Sequence, residues 1–470
     1  MSTPEFPVDT IAALATAVAP GEGSVAIVRL SGPKAEAIAR QLFQAPGDQV
    51  WDSHRVLYGH VVDPLRGERM DEALLLLMRA PRSFTREDVV EFHCHGGLQV
   101  VRQVLELVLS AGARRAAAGE FSQRAFLNGR LDLTRAEAIC ELITARSRRA
   151  AQLAIAGLDG GIQRRITALR HRLLDQLAEL EARVDFEDDL PPLEVPAVVA
   201  ELEAVRQALQ ELVQEAAQGQ RLREGLRVAI VGRPNVGKSS LLNRLSRRER
   251  AIVTDLPGTT RDLLETELVL DGVPLTLIDT AGIRPTTDRV ERLGIDRSRQ
   301  ALASADAVLL LYDLTAGWTA ADQELRAQVP PGVPLLVVGN KGDQLQAPPL
   351  PQAPPPQQDP PPPVAPPPQE VRISALTGEG ETELVQRLLQ RCGVLPVEGM
   401  AVALNQRQRD LAAAAAASLA ASLAAAQGAL PWDFWTIDLR AAISSLGEIT
   451  GEEVTDAVLD RVFSRFCIGK

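Results

Sequence analysis

The sequence predicts a multidomain chain of the α/β and all-α classes, with an N-terminal α/β domain followed by a helical bundle that a second α/β domain interrupts. Short apolar runs alternate with glycine-containing loops in residues 1–128 and 223–388, which is typical of strands in a sheet. Apolar residues recur at three- and four-residue steps in residues 129–222, which is typical of helices. Because this helical pattern stops near Leu222 and resumes at Leu404, one helical domain with an inserted domain is the simplest interpretation.

The expected domain boundaries follow from these changes of pattern. The N-terminal domain is expected at 1–128, the helical domain at 129–222 and 389–470, and the inserted domain at 223–388. Within the insertion, residues 347–368 contain 13 prolines in 22 residues. Such a segment cannot form a helix or a central strand, so an extended surface segment is expected. This segment could be a ligand for a proline-recognition domain or an inert insertion. The inert insertion is the favoured interpretation.

Composition limits the classes of function. The chain has 470 residues, enough for about three domains, and its net charge of −11 argues against a protein that coats nucleic acid by itself. Aromatic residues make up only 3%, so base-stacking platforms are not expected. The four cysteines are scattered, and neither a signal peptide nor an 18-residue apolar span is expected. We therefore predict a reducing cytoplasm, no disulfide framework and no membrane contact.

The N-terminal domain begins with a glycine loop and the apolar run Val25–Leu30, which predicts a central strand. A second strand is expected at Glu72–Met78. A helix and a turn from Glu120 to Leu133 close the domain. These elements predict an α/β unit.

Residues 87–95 concentrate charged and metal-ligating side chains. A simple capping role is one interpretation of Glu87 and Asp88, and a solvated strand residue is one interpretation of Glu91. His93, Cys94 and His95 are zinc-ligand types, but in a strand Cys94 points away from its neighbours. Since no second ligand pair stands at diagnostic spacing, no metal site is expected here.

Two helices are expected in the first helical segment, one on each side of the break at Pro191-Pro192. The residues expected to form their bundle core are Ile162, Ile166, Leu169, Leu173, Leu177, Leu180 and Val184 on the first helix and Leu202, Val205, Leu209 and Leu212 on the second. Ala113 to Arg172 contains twelve arginines and five acids. These arginines could form a solvated helical face or a surface that faces RNA. The solvated face is the favoured interpretation.

The most informative stretch is Gly232-Arg233-Pro234-Asn235-Val236-Gly237-Lys238-Ser239, which follows the apolar run Leu226–Val231 and precedes a helix start. In this pattern, backbone N–H groups and the helix N-terminus face phosphates. The lysine reaches the β and γ phosphates, and the serine hydroxyl binds Mg²⁺. A phosphate-binding loop is therefore predicted.

Three more motifs follow predicted strands. Asp279-Thr280-Ala281-Gly282 offers a carboxylate that can hold Mg²⁺ through water. In Asn340-Lys341-Gly342-Asp343, the last carboxylate can accept hydrogen bonds from N1 and N2 of guanine, a donor pair that adenine lacks. Ser374-Ala375-Leu376 completes a guanine pocket with backbone groups.

The four motifs predict a domain that resembles the Ras-like P-loop GTPases of the translation-factor superclass. The expected GTP contacts are Asn235, Val236, Gly237, Lys238, Ser239, Ser240, Thr254, Asp255, Leu256, Pro257, Gly258, Thr259, Thr260, Asp279, Thr280, Ala281, Gly282, Asn340, Lys341, Asp343, Ser374, Ala375 and Leu376.

Over essentially its whole length, the chain also resembles the MnmE (TrmE) family of tRNA-uridine-modification GTPases. Outside the GTPase motifs, the resemblance rests on Val28-Arg29-Leu30-Ser31-Gly32, Ser83-Phe84-Thr85 with Glu87-Asp88, His95-Gly96-Gly97, Gly119-Glu120-Phe121-Ser122 with Ala125-Phe126-Leu127-Asn128, and the terminal Phe466-Cys467-Ile468-Gly469-Lys470.

This resemblance implies a homodimer whose N-terminal domains bind 5,10-methylenetetrahydrofolate or 5-formyltetrahydrofolate. It assigns folate contacts to Arg29, Glu91, Arg130 and Lys470, with Arg130 standing where some relatives have Lys. It further implies an FAD-containing partner subunit in a heterotetramer and a tRNA held mainly by that partner. The expected product carries an aminomethyl-type group on C5 of the wobble uridine.

Hydrolysis of GTP needs a device other than the one in Ras. Ile283 stands where Ras-type enzymes have the glutamine that orients water. Arg233 and Arg261 could each be an arginine finger, but a solvated loop residue explains each of them equally easily. The resemblance assigns K⁺ to Asn235, Thr254, Leu256 and Thr259, Mg²⁺ to Ser239 and Thr260, and water positioning to Glu291. On spacing alone, Glu291 is instead a surface partner for Arg289 or Arg292.

The C-terminal tail leaves one question open. Cys467 is either a packed tail residue or a catalytic residue near the folate, and the terminal Lys470 argues against a prenylation box. A second function class, a switch-like GTPase for ribosome assembly or signalling, would have no use for the folate residues and the tail.

Overall fold

The computed structural model describes residues 9–18, 23–186, 191–248, 265–279, 302, 304–346, 370–394 and 403–469. The chain divides into two compact units. The first unit comprises residues 1–140, 158–205 and 417–470, and the second comprises 141–157 and 206–416. The chain is thus of mixed α/β and all-α class, as predicted.

The first unit contains a seven-stranded sheet. Strands β1 to β7 are Ile11–Leu14, Val25–Ser31, Phe43–Gln44, Arg55–Val62, Arg69–Met78, Val89–His95 and Arg114–Arg115. Their order in the sheet is β3-β4-β5-β6-β2-β1-β7, and only the β1–β7 pair is parallel. Strands therefore pair mainly with antiparallel neighbours, and the predicted Glu72–Met78 strand is part of β5.

One face of this sheet forms a core with helices α1 (Ala35–Leu42) and α2 (Leu98–Ser110). The side chains alternate along the strands, so that Val28 of β2 and Phe92 of β6 are fully buried in this core. The intervening residues of β2 and β6, including Arg29 and Glu91, belong to the opposite face. The register places Arg29 beside Glu91 across the β2–β6 pair.

The first unit contains further helices, some of them only in part. They are α3 (Glu120–Leu127), α4 (Leu133–Thr144, to residue 140), α6 (Gly161–Phe186), α7 (Val195–Glu224, to residue 205), α11 (Gln406–Gln427, from residue 417), α12 (Trp432–Thr450) and α13 (Asp456–Phe463). Helix α6 packs against α12, with Ile166 and Leu173 of α6 fully buried. Leu133 of α4 packs with Phe463 and Phe466, which fixes the end of α13 and the start of the C-terminal tail.

The second unit is built around a six-stranded sheet. Strands β8 to β13 are Leu226–Gly232, Glu265–Leu270, Val273–Asp279, Ala307–Asp313, Leu335–Asn340 and Glu370–Arg372, in the order β13-β12-β11-β8-β10-β9. All neighbouring pairs are parallel except β9 with β10. Parallel strands put their carboxyl ends at one edge, which is where open α/β sheets bind ligands.

Helices of the second unit flank this sheet. Those that lie wholly inside it are α8 (Lys238–Arg248), α9 (Ala320–Ala327) and α10 (Glu381–Arg391), and α5 (Arg148–Leu158) belongs to it up to residue 157. The strands β8 and β11 are buried on both faces, as expected of near-continuous apolar runs in a parallel sheet.

The predicted helices at 162–184 and 202–212 are confirmed as parts of α6 and α7. The expectation that no 18-residue apolar span exists is wrong. Helix α11, rich in alanine, is long and apolar enough to cross a membrane by length and composition, with a mean hydropathy of 1.3 over 18 residues and 39% of that window buried.

Candidate functional site

The phosphate-binding loop connects β8 to α8 in the second unit. Helix α8 begins at Lys238, so its first backbone N–H groups point into the loop that precedes it. Asn235 and Gly237 have positive φ angles of 63° and 97°, which bend the loop into a cradle. The Lys238 ammonium donates to the carbonyl oxygens of Gly232 at 2.8 Å and Arg233 at 3.0 Å. The predicted cradle is therefore formed.

Asn340, the last residue of β12, joins the phosphate loop to the loop that follows β13. Its side chain is buried, and its Nδ2 donates to the Val236 carbonyl at 2.8 Å. Its Oδ1 accepts from the backbone N–H of Ala375 at 2.9 Å. A Cβ added at Gly237 would overlap this Asn340 amide, which explains why glycine is needed there.

A cavity of about 300 Å³ opens beside these loops. Its lining includes Gly237, Ser240, Asn243, Arg244, Arg247, Asn340, Lys341, Asp343, Gln344, Ala375 and Leu376. Asp343 lies in a 3₁₀ turn, Gly342–Gln346, directly after β12. The structure therefore brings the carboxylate predicted to read guanine into the same cavity as the phosphate loop.

Lys341 is fixed by an ion pair at the edge of this cavity. Its Nζ lies 2.6 Å from Oδ2 of Asp313, the last residue of β11, and its backbone has a positive φ of 67°. Burial raises the pKa of Asp313, but hydrogen bonds from Lys341 and Thr315 outweigh burial and hold that pKa below its ordinary value. Asp313 therefore stays ionised and keeps Lys341 in place.

Ala375 and Leu376 of the predicted Ser374-Ala375-Leu376 loop also line this cavity. Ser374 is buried, and its Oγ accepts from the Thr377 backbone at 3.1 Å, while Leu376 is 78% exposed. The backbone N–H of Ala375 donates to Oδ1 of Asn340, so this loop is held against the end of β12.

Three lining residues were missed by the sequence prediction: Asn243, Arg244 and Arg247 of α8. With Ser240 they occupy positions i, i+3, i+4 and i+7, which form one face of a helix. This polar stripe directly after the phosphate loop was a signal available in the sequence. Arg244 is also paired with Glu381 of α10, with Nε 3.1 Å from Oε2.

Several predicted nucleotide and metal contacts lie outside the described residues: Thr254, Asp255, Leu256, Pro257, Gly258, Thr259, Thr260, Thr280, Ala281, Gly282 and Glu291. Asp279 ends β10 and pairs with Ile230 of β8 in the sheet register. Among the predicted metal ligands, Ser239 and Asn235 are described, and both are exposed.

A second candidate site lies on the open face of the sheet in the first unit. The Arg29 Nε lies 2.7 Å from Oε1 of Glu91, and His93 Nε2 lies 3.2 Å from Oε2 of the same carboxylate. Glu91 is only 8% exposed, so the alternative of a solvated strand residue is wrong. Burial raises the pKa of Glu91, but the His93 hydrogen bond and the Arg29 charge outweigh burial and hold its pKa below the ordinary value.

The C-terminal tail packs beside this pair. Ile468 forms a β-bridge with Ala118, and the Gly119 N–H donates to the Cys467 carbonyl at 3.4 Å. Arg29 Nη1 donates to the Gly469 carbonyl at 3.2 Å. Residues 440 positions apart are therefore in direct contact.

Gly469 is required by this arrangement. Its φ is +92°, and an added Cβ would overlap the Leu14 carbonyl of β1. The Cys467 side chain is exposed, so the alternative of a packed tail residue is wrong for this side chain. Lys470 lies outside the described residues.

The guanidinium groups of Arg29 and Arg130 lie over the aromatic rings of two phenylalanines that pack in one small apolar cluster. The Arg29 guanidinium lies 5.7 Å from the centroid of Phe121, and that of Arg130 lies 5.9 Å from the centroid of Phe84. Phe84 packs against the buried group that contains Phe121 and Ile11. Two of the residues assigned to folate by resemblance are thus gathered at one place in the fold.

Buried polar groups support the strand that carries Arg29. Ser31 Oγ donates to Glu87 Oε2 at 2.6 Å and lies 2.6 Å from the Thr85 hydroxyl. Arg124 of α3 pairs with Glu87 at 3.2 Å. The alternative of a simple capping role for Glu87 is therefore wrong, because this carboxylate ties β2 to α3.

Six of the twelve arginines between Ala113 and Arg172 form ion pairs among the described residues. Arg114, Arg124, Arg135, Arg146, Arg170 and Arg172 form ion pairs with Asp9, Glu87, Glu120, Asp132, Glu201, Glu267, Glu452 and Glu453. Most of these acids lie outside residues 113–172 in the sequence. Their carboxylates therefore offset part of the positive charge that the sequence of this stretch shows.

Within the described ranges, no group of three or more His, Cys, Asp or Glu side chains is placed to hold a metal ion. Burial raises the pKa of the Cys94 thiol to about 12. A buried, protonated thiol is inert as a ligand and as a nucleophile.

Comparison with known proteins gives a family match over nearly the whole chain. Residues 10–130 match the family model of the GTP-binding protein TrmE N-terminus, and residues 133–467 match that of the MnmE helical domain. A protein of Synechococcus sp. (strain RCC307), named tRNA modification GTPase MnmE, is 68% identical over 463 residues, 98% of each chain. A protein of Prochlorococcus marinus (strain MIT 9313) with the same name is 65% identical over 471 residues, covering 100% of both.

Proposed function

This chain belongs to the MnmE (TrmE) family, and on that premise we propose that it is a GTP-hydrolysing enzyme of tRNA modification. The observation that carries the proposal is the bridge that Asn340 makes between the phosphate loop and Ala375, beside a cavity that Asp343 lines. A carboxylate there matches the two donors on the guanine edge. GTP is therefore proposed as the nucleotide.

In this proposal each segment of the chain has a separate role. Residues 1–128 bind folate and dimerise, residues 223–388 bind and hydrolyse GTP, and residues 129–222 with 389–470 form the helical domain. The helical segments precede and follow the GTPase segment in the chain, which couples its nucleotide state to the helices.

The proposed folate site comprises Arg29, Glu91, Arg130 and Lys470, together with the tail. Glu91 is buried and ionised, so it suits the adjacent N–H donors of a pterin ring. The cations suit the glutamyl carboxylates of a tetrahydrofolate such as 5-formyl- or 5,10-methylenetetrahydrofolate. The contact between Arg29 and the Gly469 carbonyl supports the inclusion of the tail, and the exposed Cys467 is proposed to act there.

A homodimer is proposed through the open face of the seven-stranded sheet. Val56, Tyr58 and Leu74 on this face are 59%, 46% and 44% exposed. The register pairs Tyr58 with Leu74, and Leu76 with both Val56 and Glu91, so the apolar patch is continuous with the proposed folate site. A second copy of the chain would cover this patch and enclose the folate.

The chemistry proposed for the family needs a second subunit. An FAD-containing partner, assembled with this chain as a heterotetramer, would hold most of the tRNA and supply the redox steps. The folate would supply one carbon for the aminomethyl-type group on C5 of the wobble uridine. We propose that these components meet in the cytoplasm.

Mg²⁺ and K⁺ are proposed at the phosphate loop. The exposed Ser239 hydroxyl and Asn235 amide are oxygen ligands that fit these ions, while Thr260 and the remaining K⁺ ligands Thr254, Leu256 and Thr259 lie outside the described residues. When bound, the ions neutralise the charge that develops on the phosphates.

The monovalent ion is tested by comparing GTP turnover in K⁺ and in Na⁺ at equal ionic strength. Turnover should be faster in K⁺, and Asn235→Ala should abolish this difference. Glu291→Ala, which should slow hydrolysis without weakening GTP binding, tests the proposed water-positioning residue.

The proposed function is tested by the melting temperature of the purified chain with 5-formyltetrahydrofolate. Ligand binding must stabilise the folded state, so the melting temperature should rise with concentration. Arg29→Ala and Glu91→Ala should reduce that rise and leave GTP turnover nearly intact. Arg55→Ala, an exposed cation on β4, is the matched control and should behave like the unmodified chain.

A GTPase that acts only as a switch would show GTP turnover and no folate effect. Turnover without any rise in melting temperature would therefore contradict the modification function. A chain that responds to folate but does not hydrolyse GTP would contradict the GTPase assignment.

A further inference from the structure

For Arg233 of the phosphate loop, a solvated loop residue and an arginine finger were both open. The solvated alternative is wrong, because the guanidinium is paired with a buried acid. Arg233 Nε lies 2.8 Å from Oδ1 of Asp322 in α9. Asp322 is fully buried, with no exposed surface. A buried carboxylate needs a compensating cation, and among the described residues its ion-pair partner is Arg233.

The position of Asp322 is set by its own surroundings. Its Oδ2 accepts from the backbone N–H of Thr319 at 2.9 Å and from the Thr319 hydroxyl at 2.7 Å, which forms a capping box at the start of α9. Trp318, next to this cap, is buried and packs edge-on against Tyr312 of β11, with ring centroids 5.3 Å apart. Asp322 is therefore anchored to the core of the sheet.

The other end of the pair lies in the loop that binds phosphate. The Arg233 carbonyl accepts from the Lys238 ammonium at 3.0 Å, and Asn235, two residues on, has the left-handed φ of 63°. Fixing the Arg233 side chain to α9 therefore also restrains the backbone that orients Lys238 and Asn235. The guanidinium uses its Nε on Asp322, so this arginine serves as a structural cation.

We propose that Asp322 is a positioning residue for nucleotide binding, because it holds the phosphate loop through Arg233 in its binding conformation before nucleotide arrives. A loop that is already ordered loses less conformational freedom on binding, which increases affinity. This inference rests on the proposed GTPase function and adds a residue that no phosphate-loop motif contains.

The test is the dissociation of a fluorescent GDP analogue from the full-length chain, combined with steady-state GTP hydrolysis. Asp322→Asn removes the charge partner and should weaken GDP binding about tenfold, the effect of losing one charge-assisted hydrogen bond. KM for GTP should rise more than kcat falls. Arg233→Ala should do the same, and the double variant should be no worse than either single variant.

Thr319→Ala is the matched control, because it removes only the hydroxyl from Asp322 and leaves the Thr319 N–H bond and the Arg233–Asp322 pair in place. We expect it to lower the melting temperature and to keep GDP affinity within about twofold. If Asp322→Asn fails to fold, Arg233→Gln provides the same comparison with the cap intact.

The outcomes separate the two levels of the proposal. An unmodified chain that binds no GDP overturns the GTPase function itself. Tight GDP binding by both the unmodified chain and Asp322→Asn overturns the positioning role alone. Equal weakening in Thr319→Ala and Asp322→Asn also overturns it, since general loosening of α9 would then explain both.

Discussion

The nucleotide cavity of the second unit and the tail site of the first unit are assembled in different ways. The cavity collects short motifs that stand directly after β8 and β12, so each motif carries its own backbone geometry. The tail site joins Arg29 to Glu91, 62 positions away, and to Gly469, 440 positions away. A site of the first kind depends on local conformation, whereas a site of the second kind depends on the register of a whole sheet.

The largest effect that separates the two sites is expected from Asp343→Asn. The neutral side chain can no longer accept both guanine donors, so GTP affinity should fall by roughly 10⁴-fold. Xanthosine triphosphate, which has a carbonyl at C2, should regain part of this affinity because the new amide donates a hydrogen bond. Nucleotide titration measures both values.

The same Asp343→Asn variant should keep the folate-induced rise in melting temperature. Loss of both the GTP and the folate responses would show that the two sites are not independent.

Leu74→Asp tests the open sheet face of the first unit. A charge introduced into the proposed dimer interface should weaken dimerisation by roughly a hundredfold, because its desolvation is not compensated. Light scattering over a range of concentrations measures the change. Leu65→Asp, at a residue that is 95% exposed, is the control and should leave the mass unchanged.

Gly469→Ala tests whether the tail is part of the proposed folate site. The added Cβ overlaps the Leu14 carbonyl and the φ of +92° is unfavourable for alanine, so the tail should be displaced. Folate affinity should fall by about tenfold, while GTP turnover stays unchanged.

Gly67→Ala is the matched control for this variant. Gly67 also has a positive φ, of +69°, but an added Cβ there meets nothing within 4 Å. Reduced folate affinity in both variants would attribute the effect to general backbone strain and would remove the tail from the site.

The smallest expected effect is the pH dependence that comes from Glu91. Its folded-state pKa is lowered, so its contribution to stability is fully present above the ordinary carboxylate pKa and is lost as pH falls through the folded value. This contribution should be about 1 kcal/mol, that of a single hydrogen bond. Thermal unfolding at decreasing pH should show the loss in the unmodified chain and a flatter profile in Glu91→Gln.

The sequence was sufficient to predict much of the cavity lining, because these residues act through nearby backbone. Gly237 and Asn235 need unusual φ angles, and Lys238 starts a helix, so residue type and position are directly linked. The lining residues Asn243, Arg244 and Arg247 were missed because they lie on α8 beyond the phosphate-loop motif, which does not specify them. Asp322 was missed because a buried ion pair between separate elements leaves no pattern in either segment.

The tail site could not be derived from residue patterns and was expected only from the family resemblance. Nothing local in the strand around Arg29 indicates that its partner is Glu91 or that Gly469 lies beside it. These contacts follow from the β2–β6 register and from the packing of Phe463 and Phe466 against α4. Long-range register of this kind is set by many small contributions distributed over the sheet.

The central claim is that both sites serve one reaction on the wobble uridine of tRNA. Mass spectrometry of wobble nucleosides from a strain that lacks this gene tests it most directly, with the gene restored as the unmodified chain, Lys238→Ala or Arg29→Ala. We predict that the deletion strain lacks the aminomethyl-type group on C5, that the unmodified chain restores it, and that neither variant does. Unchanged wobble nucleosides in the deletion strain, or full restoration by both variants, would contradict the claim.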